Sequence, residues 1–196
     1  MTPRQAATRL PGALSAGDWP VAHKALIVLS KADPANASLA YNLGLVLRRL
    51  GRDREAEKAL SRALALACDH HNARFELAAC HMDLGEMDRA EAGFDAYCAV
   101  RAQDADAWLN LARLRLRRGD GPGAIDAFSR RAALVEWDLE AEIGKAEALL
   151  LVDAQGGQAA LAALFRAHAG ERPRLLKAMT QGRRGRMPLS ASSLLG

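Results

Sequence analysis

The sequence predicts an all-α chain built as a stack of helical hairpins, and three observations predict it. Gly44, Ala78 and Ala112 fall 34 positions apart, each directly after a leucine (Leu43, Leu77, Leu111). Seven residues after each comes a glycine (Gly51, Gly85, Gly119), and twelve after each an alanine (Ala56, Ala90, Ala124). Four residues beyond that alanine stands a large apolar side chain: Leu60, Phe94, Phe128. A repeat in the range of roughly 20–50 residues marks supersecondary units that cannot bury their apolar faces alone and so must stack.

Each unit reads as two helices. Ala40, Leu43, Gly44 and Leu47 occupy i, i+3, i+4 and i+7, an amphipathic stripe. Gly51 ends that helix, because glycine accepts the left-handed C-terminal conformation. Ala56, Leu60, Ala63 and Leu64 form a second stripe facing the first, and Gly44 and Ala56 are small so that the two axes can approach.

In chain order, residues 1–36 read as a degenerate first repeat acting as a cap, with Gly17, Ala22, Leu26 and Pro34 in the repeat columns. Thr2 and Asp18 are its N-caps and Pro3 a first helical residue, while Pro11-Gly12 is expected to kink or break the first helix. Residues 37–136 hold three clear units: 37–70, 71–104 and 105–136. The Gly119–Gly123 stretch lacks the lysine and preceding strand of a phosphate loop and reads as a turn. Residues 137–170 form a degenerate fourth unit, with Ala146, Leu149 and Leu150 before a turn expected near Gly156-Gly157, then a helix from Ala159 to His168. Residues 171–181 read as a capping helix with Leu175, Leu176 and Met179 on one face. Residues 182–196 read as a basic flexible tail.

These columns resemble the tetratricopeptide repeat, most fully in Trp108, Leu111, Ala112, Gly119, Ala124 and Phe128. The sequence departs from the family at the unit ends, where proline is replaced by Cys68, Ala102 and Glu136. The late alanine column reads Ala63, Tyr97, Arg131, so the third unit is expected to pack loosely there or to let Arg131 reach outward. The resemblance implies a right-handed superhelical solenoid of about four to five hairpins whose first helices line a concave, partner-binding side.

Projected onto this sequence, that groove comprises Tyr41, Asn42, Leu45, Arg48 and Arg49 from the first clear unit. The second supplies Asn72, Phe75, Glu76, Ala79 and Met82, and the third Leu109, Asn110, Arg113 and Leu116. Tyr41, Leu45, Phe75, Met82 and Leu109 are expected to form an exposed apolar strip. Asn42 and Asn110 would hold a peptide's backbone amides, and Arg48 and Arg113 its carboxylates. The family's clamp for acidic C-termini needs lysine where this chain has Tyr41 or Ala7, and basic residues at Glu76 and Asp106, so that clamp is absent. The expected occupant is an amphipathic helix or extended segment of a protein partner; the alternatives are the chain's own C-terminal tail or a second copy of the chain.

Charge is uneven. Of 27 basic residues, seven lie between Phe165 and Pro188 against one acid, Glu171, which leaves the remainder with a net charge of −2. Arg183, Arg184 and Arg186 open an alternative, nucleic-acid or ribonucleoprotein binding, although no aromatic follows Phe165 to stack on bases. Three cysteines, an odd number, argue for a reducing compartment. No apolar run suits a signal peptide or a membrane span, so a cytoplasmic protein is expected.

Cys68, His70, His71, Cys80 and His81 raise the question of a metal, but Cys80 and His81 are neighbours pointing about 100° apart on one helix. They read as packing residues, with no metal or cofactor expected. Catalytic signatures are missing, and Glu55/Glu57 and Glu140/Glu142 fall two apart and read as solvated faces. The function expected is a non-enzymatic adaptor or assembly helper, or a non-catalytic accessory subunit of an enzyme complex.

Overall fold

The computed structural model describes residues Met1–Gln181. The described residues are all-α: α1 (Pro3–Ser15), α2 (Trp19–Ala32), α3 (Ala37–Arg49), α4 (Asp53–Leu66), α5 (His71–Asp83) and α6 (Met87–Val100) come first. Then follow α7 (Ala105–Arg118), α8 (Gly121–Ala132), α9 (Leu139–Val152), α10 (Ala154–Ala167), a 3-10 turn (Ala169–Glu171) and α11 (Arg172–Gln181). The chain divides into two compact units, Met1–Tyr97 and the residues from Cys98 onward.

In the first unit the helices pair as hairpins that pack on the next in sequence. Ala6, Leu10, Ala13, Ala22, Ala25 and Leu26 form one buried cluster, which α3 closes with Val46. A second cluster joins Ala40 and Leu47 of α3, Ala56, Leu60 and Ala63 of α4, and Ala73 and Cys80 of α5. Helix α3 thus buries side chains in two directions, which no isolated hairpin can do for it.

The turns carry the period. Gly17, Gly51, Gly85 and Gly119 lie 34 residues apart and have φ of +68°, +69°, +76° and +84°. At Gly51 the amide donates to the Arg48 carbonyl and the Arg52 amide donates to the Leu47 carbonyl, each at 2.9 Å. That pair of bonds satisfies carbonyls the helix end would otherwise leave bare, and it requires the left-handed residue between them. The other three turns repeat it.

The next place in the series is Asp153, with φ −138°. It ends α9 and caps α10 in one residue by accepting the Gln155 amide at 3.1 Å. The turn expected at Gly156-Gly157 therefore lies three residues earlier, and both glycines belong to α10. Gly157 is buried, and a Cβ there would lie 2.6 Å from the Leu150 amide nitrogen, so its smallness serves helix contact and not a turn.

Helix α1 also departs from expectation, for it runs unbroken through Pro11. The Thr2–Gln5 capping box and Pro3 set its start. Ala6, Leu10 and Ala13 bury the face that holds it together, against the one backbone bond Pro11 cannot donate.

In the second unit, α7–α8 and α9–α10 are the hairpins, and α8 packs on α9. Gly144 of α9 meets the Phe128 ring of α8, leaving no room for a Cβ. Leu175 and Met179 of α11 complete a cluster with Leu139, Ala146, Leu161 and Phe165.

Arg131 neither packs loosely nor reaches outward. Its side chain, 13% exposed, binds the Asp138 carboxylate at 2.6 Å and donates to the Ala105 carbonyl at 3.0 Å. A small residue was expected in this column, and a bonded arginine fills the place by joining α8 to the starts of α7 and α9. Burial pushes the Asp138 carboxyl up, but the Arg131 guanidinium and the Glu140 and Ala141 amides outweigh it and hold it below its ordinary value.

Two predictions follow from these contacts. Gly51→Ala forces a side chain into the left-handed region and lowers unfolding free energy by about 1–2 kcal/mol. Gly12→Ala, in open space inside α1, raises it by about 0.5–1 kcal/mol; urea unfolding of the two variants reads the opposite signs. Arg131→Met lowers stability by about 2 kcal/mol at neutral pH. Because the folded Asp138 pKa lies below its ordinary 3.8, its contribution is complete above that value and is lost as pH falls through the folded one. The variant therefore loses less stability than the parent over that acidic range, measured by unfolding at stepped pH.

Candidate functional site

In the first unit the site is the side of α3 and α5 turned away from the buried clusters. On α3 the core takes Ala40, Gly44, Val46 and Leu47. What remains is Tyr41, Asn42, Leu45 and Arg48, all half-buried, with Arg49 exposed. Helix α5 is buried on more than one side through Ala73, Ala78, Ala79, Cys80 and His81, leaving Asn72 exposed and Phe75, Glu76 and Met82 half-buried.

The expected apolar strip is not intact. Phe75 packs edge-on against Phe94 and Tyr97, with centroids 5.6 and 5.3 Å apart. Tyr41 leans on the second cluster and lies 4.8 Å from the His70 ring. Leu109, in the second unit, is buried, as is Ala79. These side chains have intramolecular duties because each inner helix packs against helices on more than one side, so its buried arc is wider than a single stripe suggests.

The arginines are also engaged. Arg48 binds Glu76 and, at 2.6 Å, Asp83, tying α3 to α5. Arg113 pairs with Glu140 of α9. Neither guanidinium stands open for a partner's carboxylate as expected; each already meets an acid of its own chain. Burial raises the Tyr41 hydroxyl pKa and the Glu76 charge adds to it, so the phenol stays protonated and able to donate.

The asparagines remain. The side-chain amides of Asn42, Asn72 and Asn110 make no hydrogen bond to another described residue. Asn42 on α3 and Asn110 on α7 occupy the same place in the repeat, 68 residues apart. An amide offers two donors and an acceptor, which match one peptide unit of an extended chain. Leu45, Met82 and, in the second unit, Leu116 are half-buried. Arg183, Arg184 and Arg186 lie outside the described residues.

The cysteine and histidine group does not assemble as a set. His70 caps α5, its Nδ1 accepting the Ala73 amide at 3.2 Å. The Cys80 thiol donates to the Asp53 carbonyl at 3.2 Å, and burial pushes its pKa to about 11. His81 instead meets Glu57 and Glu86, so Glu57 is no solvated-face residue; its side chain is 16% exposed. Sequence reasoning missed this grouping, because residues 57, 81 and 86 come from α4, from α5 and from the turn before α6 and meet only once those helices pack.

The second unit also holds a mainly apolar depression of about 320 Å³ between α9 and α10, lined by Ala146, Leu149, Ala160 and Leu164 with Glu142 and Lys145 at its edge. No helix among the described residues is long and apolar enough to cross a membrane.

Comparison with known proteins accords with this geometry. Solved structures with similar folds include MamA from Desulfovibrio magneticus RS-1, with TM-score 0.75 and 16% identity, covering 90% of this chain and 96% of that one. YrrB, described as a TPR protein with an unusual peptide-binding site, gives TM-score 0.76 and 14% identity over 86% and 87% of the two chains. PilW, described as a widely conserved type IV pilus biogenesis factor, gives 0.72 and 20% over 89% and 82%. No curated protein matches the sequence significantly. The tetratricopeptide repeat family matches over residues 9–69, 54–104 and 94–136, which is more than half of the chain. The chain belongs to the tetratricopeptide repeat family.

Proposed function

We propose that this protein is a non-catalytic interaction adaptor that holds an extended segment of a protein partner through the asparagines of α3 and α5 in its first unit. The observation that carries the reading is the pair of uncommitted amides of Asn42 and Asn72 on helices whose other side chains are largely spent on packing or ion pairs. Amides that bond a peptide backbone grip a chain with little regard to its side chains, and Leu45, Met82 and the Tyr41 hydroxyl then select among sequences. Arg48 acts indirectly by holding Glu76 and Asp83 in place. Family membership supports the class of function, and a peptide-binding site is described for YrrB, which shares the fold. A reducing, cytoplasmic setting fits the exposed thiol of Cys68.

Phe75→Ala is a poor probe of this surface, since Phe75 supports Phe94 and Tyr97. The test is capture of partners from the native cell by the full chain and by Asn42→Ala/Asn72→Ala. Each lost amide bond removes about 1 kcal/mol, so the double variant should retain a partner roughly tenfold or more weakly with unchanged helicity. Capture that survives this change but fails when Arg183, Arg184 and Arg186 are replaced by serine would contradict the reading and favour the basic segment.

A further inference from the structure

We propose that Glu57, His81 and Glu86 form a binding site for a single divalent transition-metal ion, with Zn²⁺ the best match to the donors. The three residues come from α4, from α5 and from the turn that joins α5 to α6, and their ligand atoms all lie within 4.8 Å of one another. The site lies within the first unit and is independent of the peptide-binding reading.

His81 is the observation that separates this cluster from an ordinary surface network. Its side chain is 7% exposed, and neither ring nitrogen has a hydrogen-bond partner. Buried polar groups are nearly always bonded, so an orphaned imidazole calls for an explanation. Nε2 points toward the cluster, 3.5 Å from a Glu57 oxygen, a separation too long for a good hydrogen bond but compatible with two donors of one ion.

The protonation states suit ligation. Burial, assisted by Arg89, lowers the His81 pKa against the opposing charges of Glu57 and Glu86, the direction that favours the neutral ring a metal takes. Hydrogen bonds from Arg89 to Glu57 and from Arg54 to Glu86 hold both carboxyls below their ordinary values. One imidazole and two carboxylates make a three-ligand set with a position left for water, the arrangement of an open zinc site.

Two cations already attend the carboxylates. Arg89 binds Glu57 and Glu86 at 2.6 Å each, and Arg54 binds Glu86 and reaches Glu57 at 3.3 Å. Their side chains are 55% and 62% exposed, so both can swing into water when an ion enters. The arginines and the ion thus compete for the same oxygens. A bound ion would cross-link α4, α5 and the turn before α6, which would raise the melting temperature.

The test is titration of chelator-treated full chain with ZnCl₂, followed by calorimetry and thermal melting. The proposal expects one ion per chain, a raised melting temperature, and affinity weakened at least about tenfold in Glu86→Gln and His81→Gln. It also expects tighter binding in Arg54→Ala/Arg89→Ala, where the competing charges are gone. Cys68→Ser and His71→Ala should leave binding unchanged. Absence of saturable binding, binding indifferent to Glu86→Gln, or binding lost in the Cys68 or His71 variants would overturn it. Should His81→Gln unfold, the exposed arginine pair and Glu86 decide the question alone.

Discussion

The structure rests on close approach between helices, enforced by small residues that meet large ones. A Cβ on Gly44 would lie 2.5 Å from the Leu60 side chain, and one on Gly93 would lie 2.8 Å from the Ala78 methyl. Gly144 receives the Phe128 ring. Interiors are packed like molecular crystals, so a single extra methyl at such a contact must displace something. The contact between Gly44 and Leu60 closes a hairpin, and that between Gly144 and Phe128 joins one hairpin to the next. The same device therefore builds the unit and stacks it.

Close stacking decides what remains for function. Each inner helix is pressed from more than one side, so its large apolar residues are drawn into packing: Phe75 onto Phe94 and Tyr97, Leu109 into the interior. Charged residues on these helices pair within the chain, as Arg48 does with Glu76 and Asp83. What is left uncommitted on these helices is mostly neutral and polar, above all the asparagine amides. Buried His81 is a polar side chain held inside with neither ring nitrogen hydrogen-bonded, its Nε2 3.5 Å from Glu57.

Much of the fold was legible because the repeat writes each constraint several times. The glycine column at 17, 51, 85 and 119 marks a left-handed turn wherever it occurs. Its continuation to Asp153 gives the true end of α9, but a composition-led reading of Gly156-Gly157 as a turn hides it, since glycine marks both turns and tight contacts. Pro11 misleads for the opposite reason: a local penalty is outweighed by tertiary burial of Ala6, Leu10 and Ala13. The site was less legible. One helix's periodicity shows which face is apolar but not how many neighbours press on it, and so Phe75 and Leu109 read as open. The partners of Arg48, Arg113 and Arg131 lie 28, 27 and 7 residues away and depend on helix placement.

The most direct measurement of the packing constraint is a double-mutant cycle on Gly144 and Phe128, read as unfolding free energy. Close approach predicts that Gly144→Ala lowers stability by about 1–3 kcal/mol when Phe128 is present. In a Phe128→Leu background, where the ring is gone, the same change should be neutral or stabilising by up to about 1 kcal/mol. An equal effect of Gly144→Ala in both backgrounds would contradict the account, because the close approach of the two helices would then not be set by the fit between that ring and that glycine.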